Sequence, residues 1–141
     1  LMWSEMAGDP RKGLVFYQDA VRMLPGFVVA NVHLAELVSP RGEARAKLLA
    51  LNAASDDPEI SMVLAESAAT PVEAQALIAR AGASYEALLT QFPEAFWDHA
   101  AEFYLDQGGD RAKALEFATK NRELRQTARA EDLLARATRT P

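Results

Sequence analysis

Residues 33–58 read HLAELVSPRGEARAKLLALNAASDDP, and this stretch decides the fold. It holds three landmarks in order. His33-Leu34-Ala35-Glu36 is a helical phrase that ends at the breaker Ser39-Pro40-Arg41-Gly42. Gly42-Glu43 then opens a second helix, and Pro58 follows the polar stop Ser55-Asp56-Asp57. Each landmark returns elsewhere at a similar interval. Glycine followed by an acid occurs at Gly8-Asp9, Gly42-Glu43 and Gly109-Asp110, with glycine spacings of 34 and 67. Helix-bounding prolines fall at Pro25, Pro58 and Pro93, with spacings of 33 and 35. The phrase recurs as Val63-Leu64-Ala65-Glu66 and His99-Ala100-Ala101-Glu102. Alanine richness inflates the last match, so the glycine and proline spacings carry the period, which lies near 34. A period of this size signals stacked supersecondary units, none of which covers its own apolar face.

Working outward, the punctuation predicts a run of helices with tight turns. Asp9-Pro10 offers a cap and a first-turn proline to a helix ending at Leu24, before Pro25-Gly26. The next helices are predicted over 27–38 and 43–54. Asp57-Pro58-Glu59 opens one that runs to about Ala69. Thr70-Pro71-Val72-Glu73 reads as a capping box with proline at the first helical position, opening a helix to Gln91. Further helices are expected over 94–106, from the Asp110 cap to Gln126, and from the Thr127 cap over 128–138. No stretch alternates as a half-exposed strand would.

On these residues the chain resembles the tetratricopeptide repeat family. The matches are Gly8-Asp9 with Gly13, Phe16-Tyr17, Ala20 and Pro25; then Leu34-Ala35, Gly42-Glu43, Ala46, Ala53 and Pro58; then Trp97, Ala100-Ala101, Tyr104, Gly109-Asp110, Ala114 and Phe117-Ala118. The stretch 59–93 departs most, because Thr70-Pro71 stands where the family has a Gly-Asp turn. The resemblance implies an all-α fold, a right-handed α-α superhelix of antiparallel helix pairs with about eight helices. It divides a single domain over 1–141 into a partial pair at 1–25, pairs at 26–58, 59–93 and 94–126, and a capping helix at 127–139. It places Ala35, Ala65 and Ala101 where helix backbones approach closely. Phe16, Tyr17, Leu49, Phe103, Tyr104 and Phe117 would fill the spaces between pairs.

The resemblance also implies a surface. Its groove-facing positions map to Val29, Val32, His33 and Glu36; to Glu59, Met62 and Glu66; and to Ala95, Asp98, His99 and Glu102. That lining is acidic, with two histidines and neither lysine nor arginine. Family members that clamp C-terminal carboxylates use Lys, Arg and Asn at such positions, so the expected partner is a basic or neutral polypeptide. The same residues also suit an ordinary solvated face. His33 with Glu36, and His99 with Glu102, have a spacing that could share a metal, but two ligands per helix make no closed site, so no metal is expected.

Composition bounds the remainder. The chain has 141 residues, half of them apolar, and no cysteine, which excludes disulfides and thiolate sites. Residues 1–110 hold 7 Lys/Arg against 16 Asp/Glu, while residues 111–141 hold 8 against 4. An acidic body with a basic tail lacking interleaved aromatics argues against nucleic acid, and leaves head-to-tail self-association open. No apolar run is long enough for a membrane span. No nucleophile elbow, phosphate loop, zinc-protease motif or dinucleotide fingerprint occurs, so neither catalysis nor a cofactor is expected. Leu1-Met2-Trp3 is not a natural start, and the chain reads as part of a longer protein. The expected role is a scaffold for protein or peptide; the alternative is a regulatory or docking arm of an enzyme whose catalytic part lies elsewhere.

Overall fold

The computed structural model describes residues 10–38 and 41–139, and of residues 10–12 the backbone alone. The described residues form eight helices and no strand: α1 (Pro10–Met23), α2 (Val28–Val38), α3 (Glu43–Ala54), α4 (Pro58–Glu66), α5 (Pro71–Gln91), α6 (Pro93–Leu105), α7 (Arg111–Leu124) and α8 (Ala128–Thr138). The protein is all-helical, as the punctuation predicts. The Gly8-Asp9 landmark and the Ser39-Pro40 breaker lie outside the described residues.

Side-chain caps set several of these starts. The Asp57 carboxylate accepts from the Glu59 N–H at 3.0 Å, and Pro58 occupies the first turn, where no N–H is missed. Thr70 Oγ1 accepts from the Glu73 N–H at 3.2 Å, and Glu73 Oε2 reaches back to the Ala69 N–H at 2.8 Å. Asp110 and Thr127 accept from Lys113 and Ala130 N–H groups at 3.0 and 3.2 Å. Two ends fall short: α7 stops at Leu124 rather than Gln126, and α4 ends at Glu66 rather than near Ala69, where Ser67 turns its hydroxyl onto the Leu64 carbonyl at 3.3 Å.

The chain divides into two compact units, residues 1–77 and 78–141, with the division inside α5. In the first unit α1 packs on α2, and α2, α3 and α4 pack on one another. Its core includes Tyr17, Val32, Leu48, Ile60, Val63 and Leu64, all buried. Three buried polar side chains are satisfied internally. Asn31 Nδ2 donates to the Phe27 and Pro25 carbonyls at 2.8 and 3.2 Å, fixing the turn before α2. Ser61 Oγ donates to Asn52 Oδ1 at 2.7 Å, tying α4 to α3.

In the second unit α6, α7 and α8 pack on one another, and the later half of α5 contributes Ala81, Gly82 and Tyr85. An aromatic chain runs through this core: Tyr85–Phe103, Phe103–Tyr104 and Tyr104–Phe117 have ring centroids 5.1, 5.0 and 5.9 Å apart. The α6–α7 turn must clear these rings. At Gly109, φ of 62° places the backbone in the left-handed region. At Gly108 a Cβ would lie 2.7 Å from Phe103 Cε1.

Ala35, Ala65 and Ala101 are buried, as expected of close helix approaches, and so are Tyr17, Phe103, Tyr104 and Phe117. Phe16 and Leu49 are not: they are 54% and 43% exposed. Phe16 directly precedes buried Tyr17 on α1, and Leu49 directly follows buried Leu48 on α3. One residue turns a helix by roughly 100°, so only one member of each apolar pair can face the core.

Candidate binding surface

The first unit holds a half-open cavity of about 450 Å³. Ala35 and Glu36 line it from α2, Val63 and Glu66 from α4, Arg41 and Gly42 from the turn before α3, and Arg45 from the first turn of α3. The stretch Ser67–Ala69 closes it. Two acids expected on a partner-facing surface, Glu36 and Glu66, therefore meet in one cavity. Their neighbours are two arginines that the mapping of groove positions missed. That mapping used the first helix of each pair, whereas Arg41 and Arg45 belong to the turn and the second helix.

Glu36 and Arg45 are each held by a partner side chain. Glu36 Oε2 accepts from the His33 ring Nδ1 at 2.9 Å, one turn back on α2. The His33 ring lies 5.3 Å from the Tyr17 ring, which anchors it on α1. Arg45 Nη2 donates to Glu73 Oε1 at 2.5 Å, so the capping carboxylate of α5 also holds the cavity wall. Arg45 is 17% exposed, and its Nη1 is buried without a hydrogen-bond partner. Gly42 caps α3 with a φ of 56° and contributes no side-chain cap, so the first N–H groups of α3 lack that acceptor.

The other positions mapped in this unit are placed less favourably. Val32 is 1% exposed and belongs to the core, so its side chain lines no surface. Val29, Glu59 and Met62 are half-buried. Glu59 lies in the first turn of α4 and Glu66 is its last residue, roughly 10 Å apart along the axis.

In the second unit Asp98, His99 and Glu102 do lie along α6, but the chain's own arginines cover the acids. Arg129 of α8 reaches Glu102 at 2.6 Å and Asp98 at 3.5 Å. Arg136 reaches Asp106 at 3.3 Å and Glu102 at 3.6 Å. The mapped positions themselves hold neither lysine nor arginine, as expected, but arginines of α8 approach them. The signal was present in the sequence: Asp98, Glu102 and Asp106 recur every four residues, and Arg129 and Arg136 recur at seven. Both spacings keep one helix face, but sequence does not tell which helices pair.

A second polar cluster braces α5, α6 and α7. Glu86 Oε1 accepts from Tyr104 Oη at 2.5 Å and from Lys113 Nζ at 2.6 Å, and the ammonium sits 4.9 Å from the Tyr104 ring centroid. The Lys113 and Tyr104 hydrogen bonds hold the Glu86 carboxyl below its ordinary range. Burial, then the Glu86 bond, pushes the Tyr104 phenol up. The Glu86 bond also raises Lys113. Each shift reinforces the group's ordinary form, charged for Glu86 and Lys113 and neutral for Tyr104, which suits a structural brace rather than proton transfer.

Among the described residues no three His, Asp or Glu side chains converge as a metal site would need, and no helix is long and apolar enough to cross a membrane. No family model matches the chain, and no curated protein or solved structure matches it.

Proposed function

We propose that this chain is a non-catalytic interaction scaffold, a stack of tetratricopeptide-like helix pairs that holds a polypeptide segment on charged surfaces. One observation carries the reading: Glu36 and Glu66, which come from equivalent positions of two sequence repeats, line the same 450 Å³ cavity. A repeat architecture delivers that convergence naturally, because stacking places equivalent residues on one side. A cavity of this size suits a side chain or a chain segment. The cavity, where residues of α2, α3 and α4 converge, is taken as the principal contact.

The test compares the wild-type chain with Glu36→Lys/Glu66→Lys in quantitative capture of a partner. Partner recovery falls with the double variant, and the far-UV circular dichroism spectrum is unchanged. The control, Asp98→Lys/Glu102→Lys, changes recovery much less. Equal recovery by wild type and the Glu36/Glu66 variant removes the cavity from the reading.

A further inference from the structure

The apolar surface of α1 is larger than its packing on α2 uses. Tyr17 is buried, whereas Phe16 is 54% and Met23 76% exposed. One residue turns a helix by roughly 100°, so Phe16, Ala20 and Met23 fall within about 60° of arc and form one stripe. Asp19 and Arg22 follow on one flank of that stripe. They are joined by an ion pair at 2.8 Å, and more than half of each side chain meets solvent. The last helix, α8, shows the contrast. It buries Ala130, Leu133 and Ala137 and exposes Arg129, Glu131 and Asp132, as a terminal capping helix does. Phe16 and Met23 on α1 have no such polar replacement.

The stripe is complementary to itself. When two copies of one helix pack antiparallel, facing residues have numbers that add to a constant. That constant is 39 for Phe16 facing Met23, 40 for Ala20 facing itself and 41 for Asp19 facing Arg22. Neighbouring values differ by one residue, about 1.5 Å of helix rise, so one register serves all three. It sets the ring of each copy against the thioether of the other, a favourable contact. It puts the small Ala20 at the axis, where the two backbones come nearest. Like flanks face each other in an antiparallel pair, so Asp19 of one copy meets Arg22 of the other on both sides of the axis. A parallel pairing would face this charged flank with the opposite, uncharged one and form no such pairs.

We infer that the exposed face of α1 is a self-association surface, on which a second copy of this chain docks antiparallel, Phe16 against Met23 and Asp19 against Arg22. No residue of α1 lines the cavity that holds Glu36 and Glu66, so this surface is distinct from the proposed partner site. A contact of a few helical turns lies at the low end of interface sizes, below about 1,200 Å² in total. Association is therefore weak and reversible, micromolar or above. The dimer presents two cavities at once, so a partner with two binding segments is held more tightly than a partner with one.

Sedimentation equilibrium of the full chain from about 1 μM to about 1 mM tests this. The wild type passes from monomer to dimer within that range. Phe16→Ser/Met23→Ser weakens the dimer by about tenfold or more, with an unchanged far-UV circular dichroism spectrum because both side chains are exposed. Asp19→Arg and Arg22→Asp each weaken it as well, and an equimolar mixture of these two variants recovers association, since each copy then carries the other's complement. A pair that acts only within its own helix predicts no recovery on mixing. The chain has no native cysteine, so crosslinking reads the register directly. Ala20→Cys with oxidised glutathione gives a disulfide-linked dimer, and Gln18→Cys, on another face of α1, does not. A monomer at every concentration overturns the inference, whatever else covers the stripe. So does a dimer indifferent to the Phe16/Met23 variant, a mixture without recovery, or equal crosslinking through both cysteines.

Discussion

Two glycines face the same ring of the second unit and should respond oppositely to alanine. At Gly108 a Cβ would sit 2.7 Å from Phe103 Cε1, 3.0 Å from Phe103 Cδ1 and 3.0 Å from Tyr104 Cδ1. Ordinary contact begins at 3.4 Å, so about 0.7 Å must be found. The rings cannot supply it cheaply: Phe103 is 1% and Tyr104 6% exposed, and each stacks on further aromatics. Overpacking of a tight core costs roughly 1–3 kcal/mol, and Gly108→Ala should lose that much. At Gly82, within α5, a Cβ would sit 3.6 Å from the same Cε1 atom, an ordinary contact. Gly82→Ala therefore gains helix propensity without a clash and should stabilise by about 0.5–1 kcal/mol. Urea denaturation followed by far-UV circular dichroism measures both, with Trp97 fluorescence reporting on the second unit. A unit this small shifts its midpoint by about 4–8 °C per kcal/mol, so thermal scans separate the two variants clearly. A neutral Gly108→Ala, or a destabilising Gly82→Ala, would refute the packing assigned to Phe103.

Ser61→Ala removes the only donor that Ser61 offers to Asn52 Oδ1 inside the first unit. It should cost about 1–3 kcal/mol in urea denaturation, and a cost below experimental error would contradict a buried, satisfied pair. Glu86 has a lowered pKa in the folded chain. Its contribution is therefore complete above the ordinary value of 4.5 and is lost as pH falls through the folded value. The carboxylate is 50% exposed and solvent-screened, so Glu86→Gln should flatten the acid side of the stability profile by under about 1 kcal/mol, and leave it unchanged at neutral pH beyond a constant offset. Arg129→Glu/Arg136→Glu places like charges beside Asp98, Glu102 and Asp106. Amide exchange in α8 should rise and fall back with added salt; protection unchanged from wild type would show that the apolar face of α8 alone docks it.

Helix positions were legible because breakers and caps act locally. Pro58, Pro71, Asp110 and Thr127 each mark a start within their own few residues, and α3, α5 and α8 have the expected bounds. The α4 end was misplaced because the Ser67 side chain competes for a backbone carbonyl, a choice that no pattern of apolar spacing records. Burial was legible for alanines and for most aromatics. It failed at Phe16 and Leu49, where two adjacent apolar residues compete for one inward direction. The candidate surface was half legible. Glu36 and Glu66 could be found from repeat register, since each sits at the same offset in its phrase. Arg41, Arg45, Arg129 and Arg136 could not, because charge pairing between helices depends on which faces meet. Arg45 finds Glu73 at a separation of 28 residues, and Arg129 finds Glu102 at 27.

Seven alanines of the second unit, Ala81, Ala100, Ala101, Ala114, Ala118, Ala130 and Ala137, are at most 3% exposed. Cores rich in leucine are injured chiefly by truncation, which opens voids. At these seven positions there is almost nothing to truncate, and each methyl group is enclosed. The vulnerability is reversed: serine alters little volume and glycine costs only its helix propensity of about 1 kcal/mol, whereas valine or leucine must find room that a fully enclosed methyl group does not leave. A saturation library of this unit would thus favour alanine and serine at its most buried sites and reject the large hydrophobic residues, a pattern opposite to that of an ordinary hydrophobic interior.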